Sequence, residues 1–303
     1  MKRLITLGLI CILVGLIMIR KEDLVTIINT YLTPNKVIEL GEKNKYYRDY
    51  DFTFVQNTDD FTPANMQDIL NIFYTVLNSG KSSFSFYCPK DYAGCLDDVK
   101  TLAKDQDQLS HINNFVHPYN GFSHIETEYD SLGKISIRIN KSYSVDDIDE
   151  INAKIDELYP KLVDETKSQE ANIRSIHDYI INNTKYDSAR SDKNEINYRS
   201  EIAYGPLFEG YGICGGYTDL MELFLERLNI KSYKISSDQH VWNAVYINGT
   251  WKHLDLTWDD PVAVDKTDYL EHSYFLIDTN KLLQQERTQH TFNQEIYAEL
   301  KGA

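Results

Sequence analysis

The sequence predicts an α+β protein. A helix packs on an antiparallel sheet in the C-terminal half, and a small mixed α/β domain and an N-terminal apolar helix precede it. Apolar residues recur at helical spacing after Cys214, which predicts a helix with one buried face. Two strand-like runs flank Asn248-Gly249, the strongest short signal for a β-hairpin. An uninterrupted apolar run covers Leu4–Ile19 and predicts the N-terminal helix.

The composition is that of a globular but acidic protein. Of its 303 residues, 42% are hydrophobic, which is ordinary for a chain with a buried core. The formal net charge is −15, and the charged side chains of Met1–Lys21 are all basic, so the rest of the chain is more acidic still. Such a body is repelled by nucleic acid and by anionic lipid headgroups. We therefore expect no nucleic-acid partner.

Residues 1–21 are interpreted as a membrane anchor or signal segment. The apolar run is shorter than the roughly 20 residues of a spanning helix, but the flanking basic side chains can extend to the interface. No small residues follow Ile17-Met18-Ile19 to form a signal-peptidase site. The sequence therefore favours a single-pass anchor that places the body outside the cytoplasm. Secretion after signal cleavage is the alternative.

Residues 22–145 are predicted to form a small mixed α/β domain, in which we find no chemical motif. Its predicted elements are a helix from Thr62-Pro63 to Leu77, a strand at Ser83–Tyr87, a helix at Asp98–Val116, and strands at His124–Asp130 and Lys134–Tyr143. Cys88 and Cys95 lie close in sequence. Outside the cytoplasm they could close a small disulfide loop, and two free thiols are the equal alternative.

Residues 146–168 are predicted to form a helical bridge into a C-terminal domain at residues 169–303. The bridge is rich in helix-forming residues and starts after Ser144. The C-terminal domain opens with a helical stripe of four isoleucines that ends at Asn182-Asn183. The chemistry-bearing residues follow in this domain.

Cys214 lies three residues before Tyr217, the first apolar residue of the predicted buried helix face, so it begins that helix. Free backbone N–H groups and the helix dipole at this position stabilise an anion, which favours a reactive thiolate. Neighbouring glycines at positions 212, 215 and 216 allow another backbone to approach closely. A buried cysteine without a chemical role is the alternative.

The hairpin brings an imidazole and a carboxylate together. A two-residue turn at Asn248-Gly249 pairs Ile247 with Thr250, and this register makes His240 and Asp255 diagonal neighbours on one face. A thiol at a helix start beside this pair gives the nucleophile, base and orienting group of cysteine acyl-transfer enzymes. The predicted catalytic residues are Cys214, His240 and Asp255.

Two stretches resemble the core of the bacterial transglutaminase-like superfamily. They are GYGICGGYTDLMELFLERLNI and HVWNAVYINGTWKHLDLTWDDP, and the resemblance extends over about Gln169–His290. It implies a papain-like fold and makes residues 169–303 the catalytic domain. It also implies thioester chemistry on an amide, by crosslinking, deamidation or peptide hydrolysis. The family's cysteine, histidine and aspartate correspond to Cys214, His240 and Asp255.

The oxyanion and substrate contacts are less clear in the sequence. Many relatives carry a polar side chain directly after the cysteine, whereas this chain has Gly215. The backbone N–H of Cys214 is the first expected oxyanion donor, and Tyr211 is a guess for the second. The three tryptophans are expected to wall the site, and two of them are assigned to substrate binding. The oxyanion and substrate residues named are Tyr211, Gly215, Trp242 and Trp258.

The remaining candidates receive structural interpretations. His253 shares the predicted catalytic face but is read as an ordinary strand histidine, with a role beside Asp255 as the alternative. His177 and His290 are treated as structural. Asp259-Asp260-Pro261 is read as a strand-ending turn, and calcium binding there is a minor alternative. The sequence therefore predicts no cofactor and no metal ligand.

The predicted function is that of an extracytoplasmic cysteine-dependent enzyme. Its expected partners are a protein or peptide substrate, with cell-wall peptide as one candidate, and the membrane through the N-terminal helix. A cell-surface binding module that keeps the fold without catalysis is the principal alternative. An accessory assembly factor that binds through the N-terminal domain is the third.

Overall fold

The computed structural model describes residues 38–130, 133–261 and 269–301. The predicted N-terminal anchor and the start of the lead-in lie outside the described residues. Within the described ranges, no helix combines the length and the apolar character that crossing a bilayer requires.

The chain forms a mixed α/β structure with antiparallel sheets. The helices are α1 (Met66–Asn78), α2 (Cys95–Lys104), α3 (Gln106–Asn114), α4 (Val145–Leu162), α5 (Gln169–Asn183), α6 (Ser188–Lys193), α7 (Cys214–Arg227) and α8 (Thr279–Gln285). The strands are β1 (Ser83–Tyr87), β2 (Phe122–Tyr129), β3 (Lys134–Lys141), β4 (Lys185–Tyr186), β5 (Tyr211–Gly212), β6 (Ser232–Ser236), β7 (Val241–Ile247) and β8 (Thr250–Leu254).

The N-terminal half contains an antiparallel sheet in the order β1-β3-β2. The predicted hairpin is confirmed, and Ile125 lies opposite Ile139 in its ladder. Alternation places Ile135, Ile137 and Ile139 on one buried face of β3. This face packs against the helices of the same half and contributes to the first hydrophobic core.

Two helix predictions in this half need correction. The first helix begins at Met66 rather than at Thr62, because the side chain of Asn65 accepts a hydrogen bond from the Asp68 N–H and caps the helix there. The predicted helix at 98–116 is two helices, α2 and α3. They divide at Asp105, whose non-helical backbone ends α2 and whose carboxylate caps α3.

Cys88 and Cys95 form a disulfide, with their Cα atoms 5.6 Å apart. It joins the end of the edge strand β1 to the start of α2, and Cys95 is fully buried in the first core. Of the two alternatives left open by the sequence, the structure has the disulfide.

The C-terminal half contains the sheet β6-β7-β8. The predicted hairpin register is confirmed from Ile247 opposite Thr250 to Asn243 opposite Leu254. The second strand ends at Leu254 rather than at Thr257, since the chain turns there. Asp255 Oδ1 accepts hydrogen bonds from the N–H groups of Thr257 at 3.0 Å and Trp258 at 3.2 Å and thereby stabilises the turn.

This sheet lies between two hydrophobic cores. Trp242 and Ala244 face the first core, which also contains residues from the N-terminal half, whereas Val245 and Ile247 face the second core, which includes α5 and α7. The two halves therefore meet directly on one face of the sheet. The predicted boundaries at residues 22–145, 146–168 and 169–303 stay predictions.

Candidate active site

Cys214 is the first residue of α7 and follows an extended N-cap at Ile213. It is half-buried and is the free cysteine of the described residues. Its sulfur therefore lies at the end of the helix where unpaired N–H groups favour negative charge.

One threonine fixes α7 against the strand that follows His240. The Thr218 hydroxyl lies 2.7 Å from the Cys214 carbonyl oxygen and 3.1 Å from the Val241 carbonyl oxygen. In return, Asn243 Nδ2 donates to the Thr218 carbonyl oxygen at 3.1 Å. These contacts set the helix start beside the N-terminal end of β7.

The two glycines after Cys214 are required by a neighbouring backbone. A Cβ atom at Gly215 would lie 2.8 Å from the Glu201 carbonyl oxygen, and one at Gly216 would lie 2.3 Å from the Ser200 carbonyl oxygen. The close approach predicted from the glycines is therefore present. It also explains why no polar side chain follows the cysteine in this chain, because residues 200–201 occupy the space.

His240 and Asp255 form a short buried pair. His240 Nε2 lies 2.5 Å from Asp255 Oδ2, and the residues are 6% and 1% exposed. The Trp242 ring stacks on the imidazole with ring centres 5.6 Å apart. Because Nε2 faces the carboxylate, Nδ1 is the nitrogen that can exchange a proton with the Cys214 thiol.

The electrostatics of the pair favour charged forms. Burial opposes protonation of His240, but the charge and hydrogen bond of Asp255, aided by a hydrogen bond with Cys214, outweigh it and raise the pKa of His240 to about 10. Burial likewise opposes ionisation of Asp255. Its interactions with His240 and a hydrogen bond from His290 overcome that cost and hold its pKa well below the usual range. An imidazolium at neutral pH is suited to stabilise a neighbouring thiolate.

This arrangement predicts an unusual pH dependence of Cys214 alkylation. Because the raised pKa of His240 keeps the imidazole protonated from pH 6 to near pH 10, we expect iodoacetamide to react about tenfold faster at pH 6 with the wild type than with His240→Gln. The difference should shrink as the pH approaches 10 and the imidazolium loses its proton. The rate is measured by mass spectrometry of the Cys214 peptide from samples quenched at successive times. Equal rates at pH 6 would contradict a charge-stabilised thiolate.

His290 is a further member of the site that the sequence did not reveal. Its Nε2 lies 2.9 Å from Asp255 Oδ2, the same oxygen that faces His240, and its Nδ1 lies 3.1 Å from Glu286 Oε2. The side chain is fully buried, and Tyr274 stacks on it at 5.2 Å. His290 is 35 residues from Asp255 along the chain, so no local sequence pattern links the two, and the structural role predicted for His290 is incomplete.

Tyr186 is a second residue that sequence reasoning missed. It pairs with Gly212 between the short parallel strands β4 and β5, two residues before Cys214. Burial is the main cause that raises the pKa of Tyr186, and the negative charges of Cys214 and Asp255 raise it further against the opposing hydrogen bond with Ser191. Its phenol therefore stays protonated, and it donates a hydrogen bond to Ser191 Oγ at 3.3 Å.

The four residues predicted to contact the oxyanion or the substrate differ in their burial and in their neighbours. The Tyr211 ring lies flat on Tyr198, with ring centres 4.0 Å apart. Trp242 is 1% exposed, so it supports His240 from the core and does not line a substrate surface, which corrects the prediction. Trp258 is half-buried and packs 5.2 Å from the His290 ring. Gly215 lies at the edge of a cleft.

His253 is buried and neutral. It accepts a hydrogen bond from Trp242 Nε1 at 2.9 Å through Nδ1, and its Nε2 lies 2.9 Å from Thr279 Oγ1. Burial, with repulsion from His290, lowers its pKa to about 3. These contacts fit the structural reading of His253 as a strand residue.

A cleft with a volume of about 510 Å³ is lined by the chain neighbours of Cys214 and His240, although not by these two side chains themselves. Gly215 and Val241, the residues that follow the thiol and the imidazole, line one side. Asn113 and Phe122, from the N-terminal half, contribute to the cleft lining as well. The half of the chain without a chemical motif therefore helps to form the cleft that Gly215 and Val241 line.

Comparison with known proteins agrees with the motifs. Residues 156–256 match the model of the transglutaminase-like superfamily, and we assign this part of the chain to that superfamily. The matched segment contains Cys214, His240 and Asp255, and the resemblance predicted from the sequence is confirmed. No curated protein matches the chain significantly.

Two solved structures share limited similarity with the chain. The crystal structure of a TGase is 14% identical, with a TM-score of 0.35 over 45% of this chain and 44% of that chain. A "Putative Cysteine Protease" from Cytophaga hutchinsonii is 16% identical, with a TM-score of 0.28 over 44% of this chain and 61% of that chain. The chain thus spans less than two thirds of either protein, and the functional argument rests on the site.

Proposed function

We propose that the protein is an extracytoplasmic acyl-transfer enzyme that cleaves a peptide or protein amide through a thioester on Cys214. The observation that carries this proposal is the placement of His240 between the Cys214 thiol and the buried carboxylate of Asp255. The superfamily assignment supports it. The Cys88–Cys95 disulfide supports a location outside the cytoplasm, where disulfides persist.

In the first half-reaction, the Cys214 thiolate attacks the amide carbon and forms a tetrahedral oxyanion. The C–N bond then breaks, and the His240 imidazolium gives its proton to the departing amine. In the second half-reaction, neutral His240 takes a proton from an incoming amine or water, which attacks the thioester and releases the sulfur. Asp255 holds the imidazole in the orientation that both steps need.

The oxyanion requires donors at the start of α7. The backbone N–H of Cys214 is one, since the first N–H groups of a helix have no partner within it. Tyr186 is our candidate for the second donor, because burial keeps its phenol protonated and the pairing of β4 with β5 places Tyr186 beside Gly212, two residues before Cys214. It replaces Tyr211 in this role, whose ring stacks on Tyr198.

Tyr186→Phe tests this assignment. We expect kcat to fall about 100-fold, the usual cost of removing one oxyanion donor, with little change in the alkylation rate of Cys214. Steady-state kinetics on an amide substrate measures the loss. Tyr129→Phe, an exposed position on β2, serves as the control. A Tyr186→Phe enzyme with full activity would exclude the phenol as a donor.

His290→Phe tests the fourth member of the site. Phenylalanine keeps the ring packing on Tyr274 but removes the contact with Asp255, so we expect kcat to fall about tenfold with KM unchanged. The pH profile should also shift, because one hydrogen bond that stabilises the Asp255 carboxylate is gone. An unaltered profile with reduced stability would make His290 a packing residue only.

The function itself is tested by incorporating a labelled primary amine into a glutamine-containing protein, with ammonia release and peptide cleavage measured in parallel. Wild type should produce one of these signals, and Cys214→Ala should produce none. Amine incorporation identifies a transferase, and water-dependent products identify a hydrolase. Wild type and Cys214→Ala could prove equally inert over a broad set of amides while the wild-type thiol still alkylates at the rate of an ordinary cysteine. That result would favour the binding-module alternative.

A further inference from the structure

A second cluster of histidine and aspartate side chains lies apart from the candidate active site. His177 Nδ1 is 2.9 Å from Asp178 Oδ1, and His272 Nε2 is 2.7 Å from the same oxygen. The three atoms lie within 4.8 Å of one another. His177 is fully buried, while Asp178 and His272 are about one third exposed, so the cluster is open on one side.

A fourth side chain supports the cluster from behind. Asp259 is fully buried, and its Oδ2 lies 3.2 Å from His177 Nε2. Its Oδ1 accepts a hydrogen bond from the Tyr274 N–H at 2.9 Å, which fixes the carboxylate. A metal-binding histidine characteristically donates its other ring N–H to such a carboxylate.

With a neutral His177, the hydrogen bonds of the cluster leave one contact between two acceptors. A neutral His177 has one N–H, and if Asp259 accepts it, the lone pair on Nδ1 faces the acidic oxygen of Asp178. A second proton on His177 would resolve this contact. A cation between Nδ1, Asp178 and His272 would resolve it as well and would also balance the two carboxylates, one of them fully buried.

We propose that His177 Nδ1, Asp178 Oδ1 and His272 Nε2 bind a divalent cation of the zinc type. Two imidazoles and one carboxylate are a common three-residue ligand set for zinc, and the exposed side leaves a fourth position for water. Calcium and magnesium prefer sites built from oxygen atoms, so this set disfavours them. The sequence predicted no metal ligand, because His272 is remote from the His177-Asp178 pair along the chain.

The cation would brace the turn that carries Asp255. The Asp259 N–H donates to the Asp255 carbonyl oxygen at 3.3 Å, and the Asp255 N–H donates to the Tyr274 carbonyl oxygen at 3.2 Å. Asp259 is therefore linked both to the His177 cluster and to the backbone of the candidate active site. We infer a stabilising role for the cation, which does not depend on the proposed acyl transfer.

The other group of this kind, His240, Asp255 and His290, is a weaker metal candidate. Its three residues are buried, which closes the path for an ion. Asp255 Oδ2 is already in hydrogen-bond contact with the Nε2 atoms of both His240 and His290. His240 also interacts with the Cys214 thiol. The half-exposed cluster around His177 is the better site.

Zinc titration of the chelator-treated full-length protein tests the proposal. The Cys214→Ala variant is used throughout, so that the Cys214 thiol cannot bind the metal. We expect one equivalent of Zn²⁺ with a dissociation constant below about 1 µM by calorimetry, and a higher melting temperature in its presence. Co²⁺ should give the visible absorption of a site with nitrogen and oxygen ligands, and Ca²⁺ should not compete.

Two variants and a control make the result specific. His272→Gln and Asp178→Asn should each weaken zinc binding at least 100-fold, and both positions are exposed enough to tolerate the change. His124→Gln changes an exposed histidine beside Glu126 and should leave binding intact. Absence of stoichiometric zinc binding, or equal binding by His272→Gln, would overturn the proposal whether or not the protein transfers acyl groups.

Discussion

Cys214→Ser is expected to lower the rate of amide cleavage or transfer by at least about 10⁴-fold. Serine keeps the position at the start of α7 and nearly the same size, so the fold and the cleft should be retained. Its hydroxyl, however, is a much weaker acid than a thiol, so it does not supply the anionic nucleophile that the proposed reaction requires. Removing the nucleophile of a triad usually costs almost the whole chemical contribution of that triad.

The measurement is single-turnover kinetics on the best substrate found in the amide screen, with thermal unfolding to verify folding. Cys214→Ala should show the same residual rate, because neither variant can form the thioester. Trapping of a covalent acyl intermediate by mass spectrometry should succeed only with cysteine at this position. A serine variant within tenfold of wild type would rule out Cys214 as the nucleophile.

Asp255→Asn is expected to lower kcat by about 10²–10⁴-fold. The Asp255 carboxylate faces the imidazoles of His240 and His290 with one oxygen and accepts two backbone N–H groups with the other. The side-chain amide of asparagine has only one oxygen. Its NH₂ group must therefore face either the two imidazoles or the two backbone N–H groups. If it faces His240, the imidazole proton moves to Nδ1, and the ring can no longer take a proton from sulfur.

The loss should have a recognisable signature. Without the carboxylate, the pKa of His240 should fall from its raised value, so alkylation of Cys214 at pH 6 should slow together with turnover. Asp238→Asn, an exposed neighbour of His240 in sequence, is the matched control and should behave as wild type. If Asp255→Asn retained the pH profile of the wild type, the orienting role would have to be assigned elsewhere.

Local pattern was sufficient for several parts of this site. The helical spacing of apolar residues placed Cys214 at the start of α7, and the Asn248-Gly249 turn fixed the register of β7 and β8. Both signals act over a few residues, where backbone geometry and the alternation of side chains leave little freedom. Helix ends were less accurate, because Asn65 and Asp105 provided caps that competed with the expected boundaries.

By itself, the sequence determined the α+β class, the likeness of residues 156–256 to the transglutaminase-like superfamily and the residues proposed for acyl transfer, because these depend on periodicity and on a motif within continuous stretches of chain. Only the tertiary structure decided that His290 contacts Asp255, that Tyr186 pairs with Gly212 just before Cys214, that Trp242 is buried, and that His272 joins His177 and Asp178. Each of these depends on how distant segments pack around the two cores. No local spacing specifies such packing, since many segments could fill the same space until the whole chain has folded.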